Sequence, residues 1–197
     1  MKKINRIFLK ILFFVILNFS LNATEENLSI GNTNSKITVK VFSSLTCPHC
    51  ANFHDNIFYD LKKEYIDKSL VNFKHHGFPL DLAALNAELI VRCHDNNEKS
   101  FQLLGEIYKK QKQWAVGSDI NKINESLKKI GLKSGLNVDK MEKCLDNESA
   151  QDQILEERIE AQKKYKIQST PSIFINDKIY KGKHNYKEFK KVIESFL

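Results

Sequence analysis

The sequence predicts an α/β protein whose sheet-forming parts are separated by an all-helical insertion. Three observations predict it. Residues 37–75 read as strand, helix, strand; residues 82–148 hold no convincing strand; residues 171–181 read as a strand pair between two helices. Composition agrees. With 7 glycines and 3 prolines in 197 residues, the chain lacks the punctuation of an all-β fold. Its length suits one domain enlarged by an insertion.

Ile37, Val39, Val41 and Phe42 form a short, mostly buried strand. Cys50, Phe53, Ile57, Leu61 and Tyr65 then recur at helical spacing, which predicts one amphipathic helix over residues 48–66. Val71 and Phe73 mark a second strand over Leu70–His75. Strand, helix and strand in so short a stretch imply parallel strands with a right-handed crossover. The insertion carries several helical stripes: Leu82, Leu85, Leu89, Ile90 and Cys93; then Phe101, Leu104, Ile107 and Tyr108; then Ile120, Ile123, Leu127 and Ile130, capped by Ser118 or Asp119; then Val138, Met141, Cys144 and Leu145. Gly117, Gly131 and Gly135 mark its breaks. Trp114 lies near the end of the second of these helices and suits core or domain-interface packing. A helix over 150–166 with Ile154, Leu155 and Ile159 follows. A strand from Pro171 to Ile175 turns at Asn176-Asp177-Lys178 into a return strand, Lys178 to Lys181. A last helix spans residues 186–196.

The N-terminus reads as a targeting segment. Lys2, Lys3, Arg6 and Lys10 precede an apolar run from Ile11 to Leu17, and Leu21-Asn22-Ala23 fits a cleavage point, though its first position is not small. An uncleaved anchor is the alternative, but the run is short for a bilayer span. The expected division is a signal peptide over 1–23, a polar lead-in over 24–35, a first sheet-forming part over 36–80, the helical insertion over 81–149 and a second sheet-forming part over 150–197. Without residues 1–23 the net charge falls from +7 to +3, which is too mild to argue for nucleic acid.

Chemistry concentrates at Cys47-Pro48-His49-Cys50, where the first strand ends and the long helix begins. Two thiols at this spacing can close a small ring through a metal or a disulfide. Pro48 suits the first helical position, because its φ is pre-set and its missing N–H would go unbonded there. Cys47 then falls at the N-cap, where free N–H groups and the positive dipole end stabilise a thiolate. His49 adds positive charge when protonated. Export implies an oxidising compartment, where the four cysteines should be paired. Four cysteines allow three connectivities, and taking the adjacent pair leaves Cys93 with Cys144. Two buried free thiols are the alternative for that second pair.

The order of elements and two motifs resemble the DsbA family of periplasmic thiol–disulfide oxidoreductases. The motifs are Cys47-Pro48-His49-Cys50 after a strand and Ser169-Thr170-Pro171-Ser172 before the closing hairpin. The resemblance covers essentially the whole chain after residue 23. It implies a thioredoxin-like fold with an inserted all-helical domain, no cofactor, and a periplasmic enzyme that introduces disulfides into reduced client proteins. It also implies a membrane reoxidase of the DsbB type. Pro171 matches the family's cis proline, which would turn Thr170 toward a client strand. The sequence departs from the family at Val41, where these proteins commonly carry a buried acid that assists the second cysteine. Lys40 is adjacent but should face the other way.

Other readings remain on the residues. A zinc or copper site could draw on Cys47, Cys50, His49 and His54, or on His75 and His76, but Cys93 and Cys144 are not a second pair at matching spacing. No metal is therefore expected, and His75-His76 reads as ordinary surface at a strand end. Haem attachment would need histidine where Ala51 stands. An isomerase of the same superfamily shares the threonine before the cis proline but usually carries a dimerisation domain. The short lead-in leaves no room for one, so a monomer is expected. A cytochrome-maturation reductase usually shows tryptophan where Thr46 stands. The loop Phe78-Pro79-Leu80 is a candidate border of the active site.

Overall fold

The computed structural model describes residues 28–197. The stretch read as a targeting segment, its expected cleavage point and the first residues of the expected lead-in lie outside the described residues. Five strands, β1 (Leu28–Ile30), β2 (Ile37–Ser43), β3 (Val71–Gly77), β4 (Ser172–Ile175) and β5 (Lys178–Ile179), form one sheet in the order β1-β3-β2-β4-β5. β2 and β3 are parallel, in register from Ile37↔Val71 to Ser43↔Gly77. β4 joins β2 antiparallel, with Val41 opposite Ile173. This is a thioredoxin-like fold, and the chain between β3 and β4 supplies the inserted helices.

The lead-in expected over 24–35 is not loose throughout. Leu28–Ile30 pair antiparallel with β3, Leu28 opposite His75, and Leu28 is buried. Three residues carry almost no periodicity. The open edge of β3 decides their conformation, since an unpaired edge offers a row of free N–H and C=O groups.

The helix expected over 48–66 is continuous and is labelled α1, but it is not uniformly α-helical. Pro48–Phe53 and Tyr59–Leu61 have α geometry, whereas His54–Phe58 and Lys62–Ile66 form wider π turns. The remaining helices are α2 (Leu82–Val91), α3 (Asn97–Lys109), α4 (Gln111–Trp114), α5 (Ile120–Lys133), α6 (Val138–Leu145), α7 (Glu148–Tyr165) and α8 (Tyr186–Glu194). Trp114 is therefore not on the second insertion helix but on a short one beyond a break at Lys110; it is buried and donates from Nε1 to the Ile107 carbonyl at 2.8 Å. α7 begins at Glu148, because Asn147 caps it by accepting from the Ala150 N–H. Asp119 caps α5 in the same way. β4 begins at Ser172, one residue after Pro171. Leu82, Val138 and Ile159, counted in apolar stripes, are exposed.

Alternation along β2 separates two layers. Ile37, Val39 and Val41 join the main core with Ile57 and Leu61 of α1 and Phe189 and Ile193 of α8. Lys40 and Phe42 face α7: Lys40 Nζ bonds the Tyr165 hydroxyl at 3.1 Å, and the Phe42 ring lies 5.0 Å from that of Tyr165. The main core continues into the insertion through Leu103, Leu104, Ile107, Leu127 and Met141. Among the described residues no helix is long and apolar enough to cross a membrane.

A disulfide joins Cys93, just past α2, to Cys144 of α6 across 51 residues, with Cα atoms 6.0 Å apart. On the chain-entropy view a loop of that length stabilises the native state by about 4 kcal/mol. The paired change Cys93→Ala with Cys144→Ala should therefore lower the melting temperature by about 10 °C, measured by circular dichroism, while thiol exchange at Cys47 persists. A variant that melts normally but has lost exchange would contradict this structural role.

Candidate active site

β2 delivers the site. Its last residues lead through Ser44, Leu45 and Thr46 to Cys47, whose extended backbone (φ −80°, ψ 119°) caps α1, with Pro48 inside the first turn. The Cys47 carbonyl accepts from the N–H of Cys50 at 3.1 Å and of Ala51 at 3.2 Å, and the Cys47 N–H donates to Ser44 at 3.1 Å. Both cysteines are free thiols. Cys50 is 1% exposed and Cys47 8%, while Pro48 and His49 face solvent. The loop before β4 approaches from across the sheet. The Thr170–Pro171 peptide is cis, and the Thr170 carbonyl lies 3.3 Å from Cys47 Sγ. All six expected residues (Cys47, Pro48, His49, Cys50, Thr170 and Pro171) thus meet at one end of the sheet, whereas the Cys93–Cys144 bond lies apart within the insertion.

The two thiols are electrically unlike. The neighbouring Cys50 thiol, with Thr170 and the N–H groups of Cys50 and His49, outweighs burial and holds the Cys47 thiol at about 5. Burial, reinforced by the neighbouring Cys47 sulfur, pushes Cys50 far above the ordinary thiol range. Cys47 is the thiolate at neutral pH and Cys50 keeps its proton.

The insertion holds this loop at two points that sequence reasoning missed. Gln111 Nε2 donates to the Leu45 carbonyl at 2.8 Å and to the Cys47 carbonyl at 3.0 Å. The Thr46 hydroxyl donates to Asp81 at 2.8 Å, and Asp81 also caps α2 by accepting from Ala84 at 2.7 Å. A glutamine in a polar stretch carries no local sign of such a role. Asp81 carried one, since an acidic residue just before an apolar helical stripe is an N-cap signal. A groove of about 370 Å³ opens beside Thr46 and Asp81, lined also by Leu82, Ala83 and Ile120. Phe78-Pro79-Leu80 does border the site: Phe78 N–H donates to the Ser43 carbonyl at 2.7 Å, and Leu80 is exposed beside it.

The position read as lacking an acid, Val41, is buried and stands opposite His75 of β3. His75 and His76 are not surface residues, as they were expected to be, but 2% and 9% exposed. The β1 strand and helix α2 cover that end of β3, which local sequence could not foretell. His75 Nε2 lies 3.0 Å from Glu88 of α2, and Arg92 bonds Glu88 at 2.9 Å and Glu157 of α7 at 2.8 Å. Burial opposes ionisation of Glu88, but His75 and Arg92 hold its carboxyl well below the usual carboxylate range. A buried acid is thus present, supplied by α2 rather than by β2. Gly77 makes room for it, since a Cβ there would stand 2.8 Å from Glu88 Cδ. Burial first, and then the positive charge of His75, Lys40, Lys74 and Arg92, lower His76 to about 3. Among the described residues no three histidine, cysteine or acidic side chains converge as metal ligands.

A thioredoxin-like sheet, a dithiol pair at the head of its first helix and an inserted helical domain together define a thioredoxin-fold dithiol protein of the DsbA architecture. The chain belongs to the thioredoxin family described by the Thioredoxin_4 profile, which matches residues 23–195. It is similar to a putative protein-disulfide oxidoreductase of Rickettsia bellii, 34% identical over 77% of this chain and 58% of that protein. It is also similar to disulfide bond formation protein D of Bacillus subtilis, 29% identical over 85% of this chain and 76% of that one. The chain spans little more than half the length of the rickettsial relatives it matches. Among solved structures, alpha-DsbA1 of Wolbachia pipientis superposes with a TM-score of 0.81 at 26% identity, covering 87% of this chain and 90% of that one.

Proposed function

We propose that this protein is an exported thiol–disulfide oxidoreductase that introduces disulfides into client proteins through Cys47 and Cys50. The observation that carries this reading is the asymmetry of the pair: Cys47 held at about 5 beside a buried, protonated Cys50. A thiol with a low pKa is a good leaving group and a stable product, so the disulfide form is the reactive, oxidising one. A client thiolate attacks Cys47 Sγ and Cys50 leaves, giving a mixed disulfide. The client's second thiolate then attacks its own bonded sulfur, and Cys47 leaves as the thiolate. The closeness of the Thr170 carbonyl, 3.3 Å from Cys47 Sγ, supports pairing of its backbone with the client strand. The basic, apolar N-terminal segment supports export to an oxidising space such as the periplasm. The similarity to disulfide bond formation proteins supports reoxidation of the spent dithiol by a membrane partner of the DsbB type.

The test is the redox equilibrium of the purified protein against glutathione. A disulfide more oxidising than the glutathione pool supports the oxidase. A potential close to that of thioredoxin would assign a reductase instead, and a protein that does not cycle would end the enzymatic reading.

A further inference from the structure

The first step of that exchange creates a difficulty. When a client thiolate attacks Cys47, Cys50 must depart as a thiolate from a site that is 1% exposed, and a buried anion needs a hydrogen-bond donor. On the inward face of β2 Val41 offers no donor; Ser43, two residues nearer, carries a buried hydroxyl, and the Ser44 N–H and Thr170 favour the Cys50 anion without offsetting its burial.

α3 and α4 run past this face of α1 in the opposite sense, and three contacts fix the alignment. Gly105 sits against the second turn, because a Cβ there would stand 2.7 Å from the Tyr59 hydroxyl and 3.2 Å from His54 Cε1. Gln111, six residues on, reaches the Cys47 carbonyl at 3.0 Å. Tyr108 lies midway between them on the same buried side. Its ring centroid is 5.2 Å from that of His54, and His54 follows Cys50 by one turn on the same face of α1. These contacts put Tyr108 on the side of α1 that carries Cys50, whose charge bears on the Tyr108 hydroxyl. That hydroxyl is buried and makes no hydrogen bond of normal geometry among the described residues, although the Ser43 hydroxyl is close enough to act on it. Buried hydroxyls are seldom left so.

We propose that the Tyr108 hydroxyl is a further hydrogen-bond donor, beyond the Ser44 N–H and Thr170, that receives the Cys50 thiolate as the Cys47–Cys50 bond breaks. This rests on the exchange reaction proposed above. The S–S bond electrons go to Cys50, and Tyr108 O–H points its proton at that sulfur without surrendering it. Cys50 then takes up the proton that the client's second thiol gives up on becoming a nucleophile. Cys47 leaves as the thiolate, so the products are a client disulfide, a Cys50 thiol and a Cys47 thiolate. After burial, the charge that bears most on the Tyr108 hydroxyl is that of Cys50, and together they keep the phenol protonated throughout.

Rapid-quench kinetics of the oxidised protein with a peptide carrying one cysteine isolates the attack step. Tyr108→Phe should slow it by about tenfold to a hundredfold, the usual worth of a hydrogen bond to a charged group. Release is read separately in a Cys50→Ser background, where the mixed disulfide is trapped and a second thiol displaces Cys47. There Tyr108→Phe should change nothing, because its partner sulfur is gone. Attack at the wild-type rate, or an equal slowing of both steps, would overturn the proposal. If Tyr108→Phe does not fold, fluorotyrosine placed at position 108 keeps the question open to measurement: its fluorine resonance should shift between the disulfide and dithiol forms, and an unchanged resonance would overturn the assignment. A wild-type protein that does not react with the peptide at all would instead refute the exchange reading itself.

Discussion

Cys47→Ser should abolish thiol exchange outright, whereas Cys50→Ser should leave a protein that is trapped rather than inert. Only sulfur can form the mixed disulfide, and the serine hydroxyl at position 47 would be neither an oxidisable group nor an anion near neutral pH. The remaining thiol of that variant, Cys50, is buried and pushed far above the ordinary thiol range. It should therefore resist alkylation by iodoacetamide in the native state. In Cys50→Ser the low-pKa thiol survives but the resolving thiol is lost. Mixed disulfides formed when the Cys47 thiolate attacks a peptide disulfide, with the peptide's other sulfur leaving, then persist, visible as a peptide adduct by mass spectrometry. Removing the Cys50 thiol also removes the strongest influence that lowers the Cys47 thiol, so the Cys47 titration should move upward in this variant. Equal alkylation of the two single-thiol variants would mean that the thiols are not electrically distinct, and the proposed division of labour would fall with it.

The redox potential should change slope with pH near 5. Cys50 keeps its proton in the reduced form, while Cys47 titrates at about 5. Above that pH, reduction of the disulfide takes up one proton, and the potential should fall by about 30 mV per pH unit, the tenfold step of a two-electron couple. Below it both thiols are protonated, reduction takes up two protons, and the slope should steepen to about 59 mV. The same titration sets the stability of the reduced form. Because the folded value lies below the ordinary thiol value of 9.0, the contribution is fully present above about 9. It shrinks as pH falls and is lost as pH passes through about 5. The oxidised form does not titrate at these sulfurs. The melting temperature of the reduced protein should therefore gain on that of the oxidised protein as pH rises through this window. A straight potential line across pH 4 to 8, with no break near 5, would show Cys47 to be an ordinary thiol.

Much of the site was legible because its parts are local. Cys47, Pro48, His49 and Cys50 are consecutive, and a proline after an N-cap position is a one-turn signal. Thr170 and Pro171 were legible through resemblance to a family motif, not through any spacing to Cys47, from which they are remote in sequence. The helical insertion was legible because buried helices repeat an apolar pattern over three or four turns. Where the pattern was short the reading failed: Leu28–Ile30 has too few residues to show a period, and Trp114 was assigned to a helix that ends at Lys109.

By itself, then, the sequence determined the class of fold, the order of its elements and the chemical pair at its centre, since each is encoded by neighbours within a turn or a strand. Tertiary structure alone decided the surroundings of that pair. It buried His75 and His76, which read as surface, because α2 and β1 close over β3. It supplied an acid from Glu88 of α2 although the inward position of β2 is Val41, and brought Gln111 and Tyr108 over the head of α1. These are meetings of residues far apart in the chain, and no local preference specifies them. They follow from which helix faces pack together once the sheet and the insertion have formed.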